Sequence, residues 1–253
     1  MNFELQNLPS RNQKPRNSGI TMVMDKGLSV REAEDLLSVS EPYIDLIKLG
    51  FGTAFVTPNL ENKLAVYKQA NLAVYFGGTL FEAFVMRNQF EDYLRLIDKY
   101  KLGYAEVSDG SIDLNHDEKC DYINRLSKHV TVLSEVGSKD EKKILAPYLW
   151  IDLMQKEIAA GSYKVIAEAR ESGTVGIYRE KGEVRGDLID EILTKVDNDK
   201  IIWEAPLKSQ QVFFIKLLGA NVNLGNIPPN EVIPLETLRL GLRGDTFYHF
   251  LNQ

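Results

Sequence analysis

The sequence predicts an α/β protein built as a single (β/α)8 TIM barrel over residues 1–253, with a short N-terminal extension of about residues 1–18. Three observations carry this. Eight short runs rich in β-branched and apolar residues recur along the chain and alternate with segments of helical period. Most of those runs end in a carboxylate, a lysine or a glycine, where a strand gives way to a loop. The length of 253 residues matches the roughly 250 of a complete barrel, and eight βα units close without leftover elements, which a doubly wound sheet does not offer.

The first run, Gly19 to Asp25, is almost continuously apolar, as suits a parallel strand covered on both faces. The helix after it runs from Ser29 to Leu37, with Ser29 as N-cap, Glu32 completing a capping box, and Ala33, Leu36 and Leu37 on its buried face. The second strand, Ile44 to Gly50, ends in Gly-Phe-Gly-Thr, and its helix spans about Leu60 to Ala70. The third, Leu72 to Gly78, turns directly into Thr79-Leu-Phe-Glu82, and a further helix covers Gln89 to Lys101. Tyr104 to Asp109 and Val130 to Gly137 are the fourth and fifth strands, separated by a helix from Asn115 to His129. A helix from Tyr148 to Ala160, closed by Gly161 as a left-handed cap, leads to the sixth strand, Tyr163 to Ala169. Gly173 to Asp187 is then an irregular excursion at a strand's C-terminal end, where lids are built. A helix from Leu188 to Val196, a strand from Lys200 to Pro206, a helix from Ser209 to Gly219, a strand from Asn221 to Ile227 and a helix from Val232 to Leu242 complete the chain.

A net charge of −6 opposes a surface that tracks phosphate backbones, so no nucleic-acid partner is expected. No run reaches the length of a membrane span and the first residues lack the apolar centre of a signal peptide, so no membrane partner and a cytoplasmic location are expected. The single cysteine, Cys120, excludes an internal disulfide and reads as a half-buried packing residue. His116, His129 and His249 fall in or beside helices and read as surface or packing residues.

In this fold the loops at the C-terminal strand ends build the active site, so candidates follow from position. They are Asp25, Lys48, Thr79, Glu82, Glu106, Ser108, Asp109, Glu135, Lys139, Glu168, Arg170, Glu204, Asn223 and Gly225. So many carboxylates at one mouth need neutralising, either by internal ion pairs with Lys48, Lys139 and Arg170 or by a hard divalent cation such as Mg2+. Glycine pairs at Gly50 and Gly52, Gly77 and Gly78, and Gly225 allow close backbone approach to a ligand, phosphate among them. Neither common nucleotide-binding glycine motif is present.

These residues also carry a likeness. Lys14-Pro-Arg16 with Gly19-x-Thr21-x3-Asp25, Ile44-Asp-x2-Lys48-x-Gly50-x-Gly52-Thr53 and Gly77-Gly-Thr79-x2-Glu82 form its first half. Glu106-x-Ser108-x-Gly110, Ser134-Glu-Val-Gly137, Glu168-Ala-Arg170-Glu171, Glu204-Ala-Pro206, Asn221-x-Asn223-Leu-Gly225-Asn226 and Leu238-Arg-x-Gly-Leu-Arg243 continue it. In these motifs the chain resembles the phosphosulfolactate synthase family along nearly its whole length. The resemblance implies a Mg2+-dependent lyase that adds sulfite to phosphoenolpyruvate, giving (2R)-2-O-phospho-3-sulfolactate. It implies Lys139, with Lys48 in reserve, as the acid that protonates C2, and Glu135 beside them in the catalytic set. It implies Asp25, Glu106, Glu168 and Glu204 as the acidic set around the metal. Lys14, Arg16 and Arg170, with Thr79, Ser108, Asn223 and Gly225, are then the anion-binding set, although Lys14 and Arg16 read equally as a solvated tail.

Small-molecule substrates and a homo-oligomer are the expected partners, the latter because Phe247 to Leu251 is strongly aromatic, although that segment can equally pack beneath its own barrel. Two other readings are weighed: a different metal-dependent barrel lyase or aldolase acting on a small phosphorylated acid, and a non-catalytic, stress-related barrel.

Overall fold

The computed structural model describes residues 2–137, 145–170 and 172–251. Its eight strands are β1 (Thr21–Asp25), β2 (Leu46–Leu49), β3 (Ala73–Phe76), β4 (Tyr104–Val107), β5 (Thr131–Val136), β6 (Ser162–Ala167), β7 (Ile201–Glu204) and β8 (Leu224–Ile227). They form one parallel sheet in the order β3-β2-β1-β8-β7-β6-β5-β4, curled so that its two ends, β3 and β4, lie side by side. The expected barrel is present, and each expected strand is there, shortened at one or both ends, although the sixth begins one residue earlier than expected, at Ser162.

The helices are α1 (Val30–Ser40), α2 (Thr53–Val56), α3 (Leu60–Gln69), α4 (Gly78–Val85), α5 (Phe90–Lys99) and α6 (His116–Ser127). Then follow α7 (Pro147–Ala160), α8 (Gly186–Leu193), α9 (Lys208–Leu218), α10 (Val232–Arg239) and α11 (Phe247–Leu251). Local chemistry sets several boundaries. Ser29 and Glu32 exchange the two hydrogen bonds of a capping box at the start of α1, and Gly161, at φ 119°, ends α7 in a conformation that side chains disfavour. The excursion after β6 is mostly irregular, pinned by an antiparallel bridge between Tyr178 and Val184. In α11, Phe250 packs against the barrel's own core, whereas Tyr248 and Leu251 stay exposed.

Period-two alternation divides the strands' side chains between two cores. Outward residues such as Val23, Ile47, Val74, Val107, Val165 and Trp203 pack under the helices, and Met22, Leu46, Tyr75, Leu133, Ile166 and Ile202 fill the barrel itself. The inner filling matters for function. Two residues beyond Leu46, Leu133 and Ile202, on the same inward face, stand Lys48, Glu135 and Glu204; two beyond Tyr104 stands Glu106. The apolar layer is therefore a floor, and the charged layer lies directly on it at the C-terminal end.

The opposite pole is closed by the N-terminal segment. Arg11 pairs with Glu236 at 2.9 Å, Lys14 with Glu41 at 2.7 Å and Arg16 with Asp45 at 2.9 Å, while the other oxygen of Asp45 accepts from the Thr21 N–H. Arg239 reaches the carbonyls of Ile20, Ala220 and Val222 from beneath. Lys14 and Arg16 thus sit at the N-terminal end of the strands, away from the mouth, which corrects their expected role in anion binding. Their cations are consumed by carboxylates of the loop before β2 and of that loop's neighbours. Arg16→Ala is expected to cost about 3 kcal/mol, because it strips a buried carboxylate of its partner. Thermal denaturation checks the loss, and an unchanged KM for the substrate checks that the residue lies outside the site.

Candidate active site

At the C-terminal mouth a cavity of about 320 Å3 is lined by Met24, Lys48, Phe51, Gly77, Gly78, Thr79, Glu106, Glu135, Ala169, Arg170, Ser172, Glu204 and Asn226. Its centre is Lys48. The Nζ lies 2.9 Å from Glu106 Oε1, 3.3 Å from Glu135 Oε2 and 3.4 Å from Glu204 Oε1, and all four side chains are buried. Each carboxylate is also anchored elsewhere or close to an anchor. The N–H of Gly78, in the first turn of α4, donates to Glu106 Oε1 at 2.6 Å, and the Ala169 N–H donates to Glu204 Oε2 at 2.8 Å. Lys119 donates to the main-chain oxygen of Glu135 at 2.6 Å, and the Tyr178 hydroxyl to that of Glu204.

The electrostatics follow from burial. Burial alone would discharge Lys48, but Glu106, Glu135 and Glu204 outweigh it and hold the ammonium protonated well beyond the ordinary lysine range. Burial raises Glu106, against the pull of Lys48. Burial, together with repulsion from Glu135 and Glu106, pushes Glu204 up to about 8, again against Lys48. Near neutrality the ring of carboxylates therefore tends to retain a proton, shared among its interacting members. As pH rises from the ordinary carboxylate value of 4.5 toward about 8, the unfolded chain gives up that proton and the folded chain retains it, so stability falls over this window. The parent's melting temperature is expected to drop by several degrees across it, and Glu204→Gln to flatten the slope; equal slopes in both proteins would contradict the assignment.

The expected site residues separate into those that meet here and those that do not. Lys48, Glu135, Arg170, Thr79, Glu106 and Glu204 line the cavity together. Asp25 does not. It shares the outward parity of Val23, not the inward parity of Met22 and Met24, and is fully buried against α3, with Oδ2 at 2.6 Å from Lys63 Nζ and 2.8 Å from the Tyr67 hydroxyl. Its other oxygen accepts from the Gly27 and Leu28 N–H groups. Asp25 is thus a structural anchor, and the expectation that it binds metal is corrected.

Glu168 is buried beside Gly137 and does not line the cavity. Ser108 lies beneath Gly78 and donates to Glu82 Oε1 at 2.6 Å, so it supports the start of α4 from behind. Asn223 stands at the wrong end of β8: its Oδ1 accepts from Ile20 N–H and its Nδ2 donates to the Ile201 carbonyl, both at the N-terminal pole. Gly225 belongs to the barrel filling, where a Cβ would come within 2.7 Å of Met22 Cε. Lys139 lies outside the described residues. Asp109, also at a strand end, is taken by Lys119 at 2.7 Å.

Asn226, Phe51, Met24, Ala169 and Ser172 line the cavity without having been singled out as site residues. For Asn226 the reason is a bulge. Three steps of β8, Leu224 to Ile227, oppose two of β1, Thr21 to Val23, so simple alternation fails there. The buried Lys119 network is a second omission: its Nζ also pairs with Glu157 at 2.8 Å, an arrangement that a lone lysine in a helical pattern does not announce. Cys120 is half-buried, and burial raises its thiol pKa, consistent with a packing role.

Oxygen donors at the mouth suit a hard cation. Glu106 Oε2 and Asn226 Oδ1 are buried acceptors without a hydrogen-bond partner, and both residues line the cavity. Among the described residues no group of three His, Cys, Asp or Glu side chains is arranged to hold a metal by itself. The donor set therefore fits an ion held by one or two carboxylates and completed by substrate oxygens.

A nearly closed parallel barrel with a lysine ringed by glutamates at its C-terminal mouth defines a barrel enzyme by architecture and site. The match to a family model for (2R)-phospho-3-sulfolactate synthase extends over residues 9–245. The chain is 42% identical over 244 residues to phosphosulfolactate synthase of Methanothermobacter thermautotrophicus, covering 94% of this chain and 95% of that protein. It is 41% identical to the Bacillus subtilis phosphosulfolactate synthase, covering 95% and 97%. The chain belongs to the phosphosulfolactate synthase family. Solved barrels share only the fold: 3-hexulose-6-phosphate synthase from Salmonella typhimurium superposes with a TM-score of 0.55 at 16% identity, over 92% of this chain and 99% of that one.

Proposed function

We propose that this chain adds sulfite to phosphoenolpyruvate, with Mg2+, to give (2R)-2-O-phospho-3-sulfolactate. The observation that carries the reading is Lys48 held by Glu106, Glu135 and Glu204 in a cavity that Arg170 and Thr79 also face, in a chain of this family. The sulfur lone pair of sulfite forms the bond to C3, and the C2–C3 π electrons move onto C2 and into the carboxylate. A proton delivered to C2 completes the addition, and no group leaves. Arg170, a planar donor fork, and Thr79, at the start of α4, hold tetrahedral oxyanions at the rim. Glu106 and Asn226 supply the oxygens that would hold Mg2+, with Glu204 next to them; when bound, the ion stabilises negative charge on the substrate carboxylate.

Lys48 is the ammonium that the described residues place at the centre of the cavity, but the carboxylates that hold its proton so firmly weaken it as an acid, so Lys139 remains the first candidate for the proton donor and Lys48 the reserve. Lys48→Gln and Lys139→Gln separate the two, since loss of the donor stops product formation while phosphoenolpyruvate still binds by calorimetry. The function itself is tested by following phosphosulfolactate from phosphoenolpyruvate with and without sulfite, in Mg2+ or in chelator. Phosphoenolpyruvate consumed without sulfite, to some other phosphate ester, would overturn the reading in favour of another barrel lyase. The same reading treats the chain as a cytoplasmic enzyme acting on small molecules, in keeping with described helices none of which is long and apolar enough to cross a membrane. The exposed Tyr248 and Leu251 of α11 support a homo-oligomer, tested by light scattering.

A further inference from the structure

We propose that Phe51 is the aromatic wall of this site, a ring that packs on bound phosphoenolpyruvate and closes the cavity mouth to water. The proposal rests on the substrate reading above and adds a residue to it. Phe51 follows β2, three positions beyond Lys48, and lines the same cavity with its side chain still 49% exposed.

Its backbone is the first argument. Phe51 has φ 55°, in the left-handed region, and stands between Gly50 and Gly52. Of the other described non-glycine residues with positive φ, Asn7, Asn59, Asn71, Asn88 and Asn226 are of the type that tolerates this conformation, and Lys101 and Val175, which are not, lie outside the lining of this cavity. A bulky ring does not tolerate positive φ, and glycine would occupy the position without strain. The turn is held by main-chain and threonine contacts that ignore the ring: Gly50 N–H to the Asp25 carbonyl at 3.1 Å, Thr53 N–H to the Gly50 carbonyl at 3.0 Å, and the Thr53 hydroxyl to the same carbonyl at 2.7 Å. Strain accepted for a side chain that remains half open to solvent is not repaid by folding, which points to a ligand as the partner.

The second argument is chemical. The apolar residues of the lining are Met24, Phe51 and Ala169, and Met24 and Ala169 are buried at 5% and 3% exposure, so Phe51 alone of the three stands at the opening. Phosphoenolpyruvate has one apolar edge, its methylene carbon, which is the atom that sulfite attacks. A carbanion developing next to it must be protonated from the enzyme and not from bulk water, so a ring over that edge serves both recognition and water exclusion.

The chain's two tryptophans, Trp150 and Trp203, are buried at 1% and 0% exposure, so Phe51→Trp creates a probe that acrylamide reads almost alone. Saturating phosphoenolpyruvate with Mg2+ is expected to protect the introduced indole from quenching and to shift its emission to the blue, with binding measured on the same sample by calorimetry. Binding without protection overturns the proposal and leaves the substrate reading intact; absence of binding to the parent protein under the same conditions overturns both. Protection present before ligand, and growing with protein concentration, overturns it in favour of a contact between copies through the neighbouring exposed Phe55 and Val56. In a second arm, Phe51→Gly is expected to raise the melting temperature by relieving strain while KM for phosphoenolpyruvate rises about tenfold, with Phe51→Tyr restoring it. An unchanged KM in the glycine variant overturns the assignment.

Discussion

Lys48→Met is expected to abolish turnover, lowering kcat/KM by about a thousandfold or more, and to leave a protein that is more stable in mild acid than in mild base. The methionine fills much of the space but removes the charge on which Glu106, Glu135 and Glu204 converge. Stripping a buried ionic cluster of its counter-charge costs about 3–5 kcal/mol. That cost is avoidable only by protonation, and burial already raises Glu106 and pushes Glu204 up to about 8 with the lysine in place. Without it their folded values climb further. The folded variant then holds protons that the unfolded chain releases above 4.5, and its stability declines as pH rises from there. Melting curves at about pH 5.5 and about pH 8.5 check this: the gap between parent and variant widens at the higher pH. A variant equally destabilised at both values, or one that still turns over at the parental rate, would show that the ring does not depend on Lys48.

Gly78→Ala is expected to cripple the site through a single methyl group. A Cβ built on Gly78 would collide with the Ser108 hydroxyl, lie 2.6 Å from Ser108 Cβ and stand 3.1 Å from Glu106 Oε1. None of these neighbours can retreat easily. Ser108 is fully buried and bonded to Glu82, and Glu106 is held at 2.6 Å by the Gly78 N–H itself. The first turn of α4 must therefore lift away from β4, which breaks that bond and displaces Thr79 at the rim. Overpacking of this kind costs about 1–3 kcal/mol in stability. The kinetic loss is expected to be about a hundredfold in kcat/KM, because misplacing a positioning group by about 1 Å has that effect. Ser108→Gly in the same chain removes the obstructing hydroxymethyl group and is expected to recover part of both. If the double variant is no better than Gly78→Ala alone, the collision is not the cause.

Both predictions depend on positions at the C-terminal ends of strands, where the inner face passes from apolar filling to charge. Lys48, Glu135 and Glu204 follow Leu46, Leu133 and Ile202 in this way, and strand-end position alone is enough to single them out. Asp25 shows the limit of that reasoning. It ends β1 just as Glu204 ends β7, yet it alternates with Val23 and lies in the outer core against Lys63 and Tyr67. Alternation within β1, whose residues are apolar on both faces, does not reveal which side is the barrel's interior. Asn223 fails for a related reason: the apolar run around it is longer than β8, and the residue lies at the strand's entry, bonded to Ile20 and Ile201.

The order of strands and helices, the capping box of α1, the left-handed close of α7 and the gathering of acidic and basic residues at strand ends are all legible in the chain without its folded form. They are written in short-range patterns of side-chain type, which act over a few residues and need no knowledge of the partner strand. Which of those charges share a cavity is settled only in three dimensions. That choice depends on how eight strands are registered around a closed ring, on the bulge that turns Asn226 inward, and on distant counter-ions such as Glu41, Asp45 and Lys63 that claim Lys14, Arg16 and Asp25 for the framework. Those pairings join residues far apart along the chain, and an ion pair's partner is set by distance in space, which no local pattern encodes.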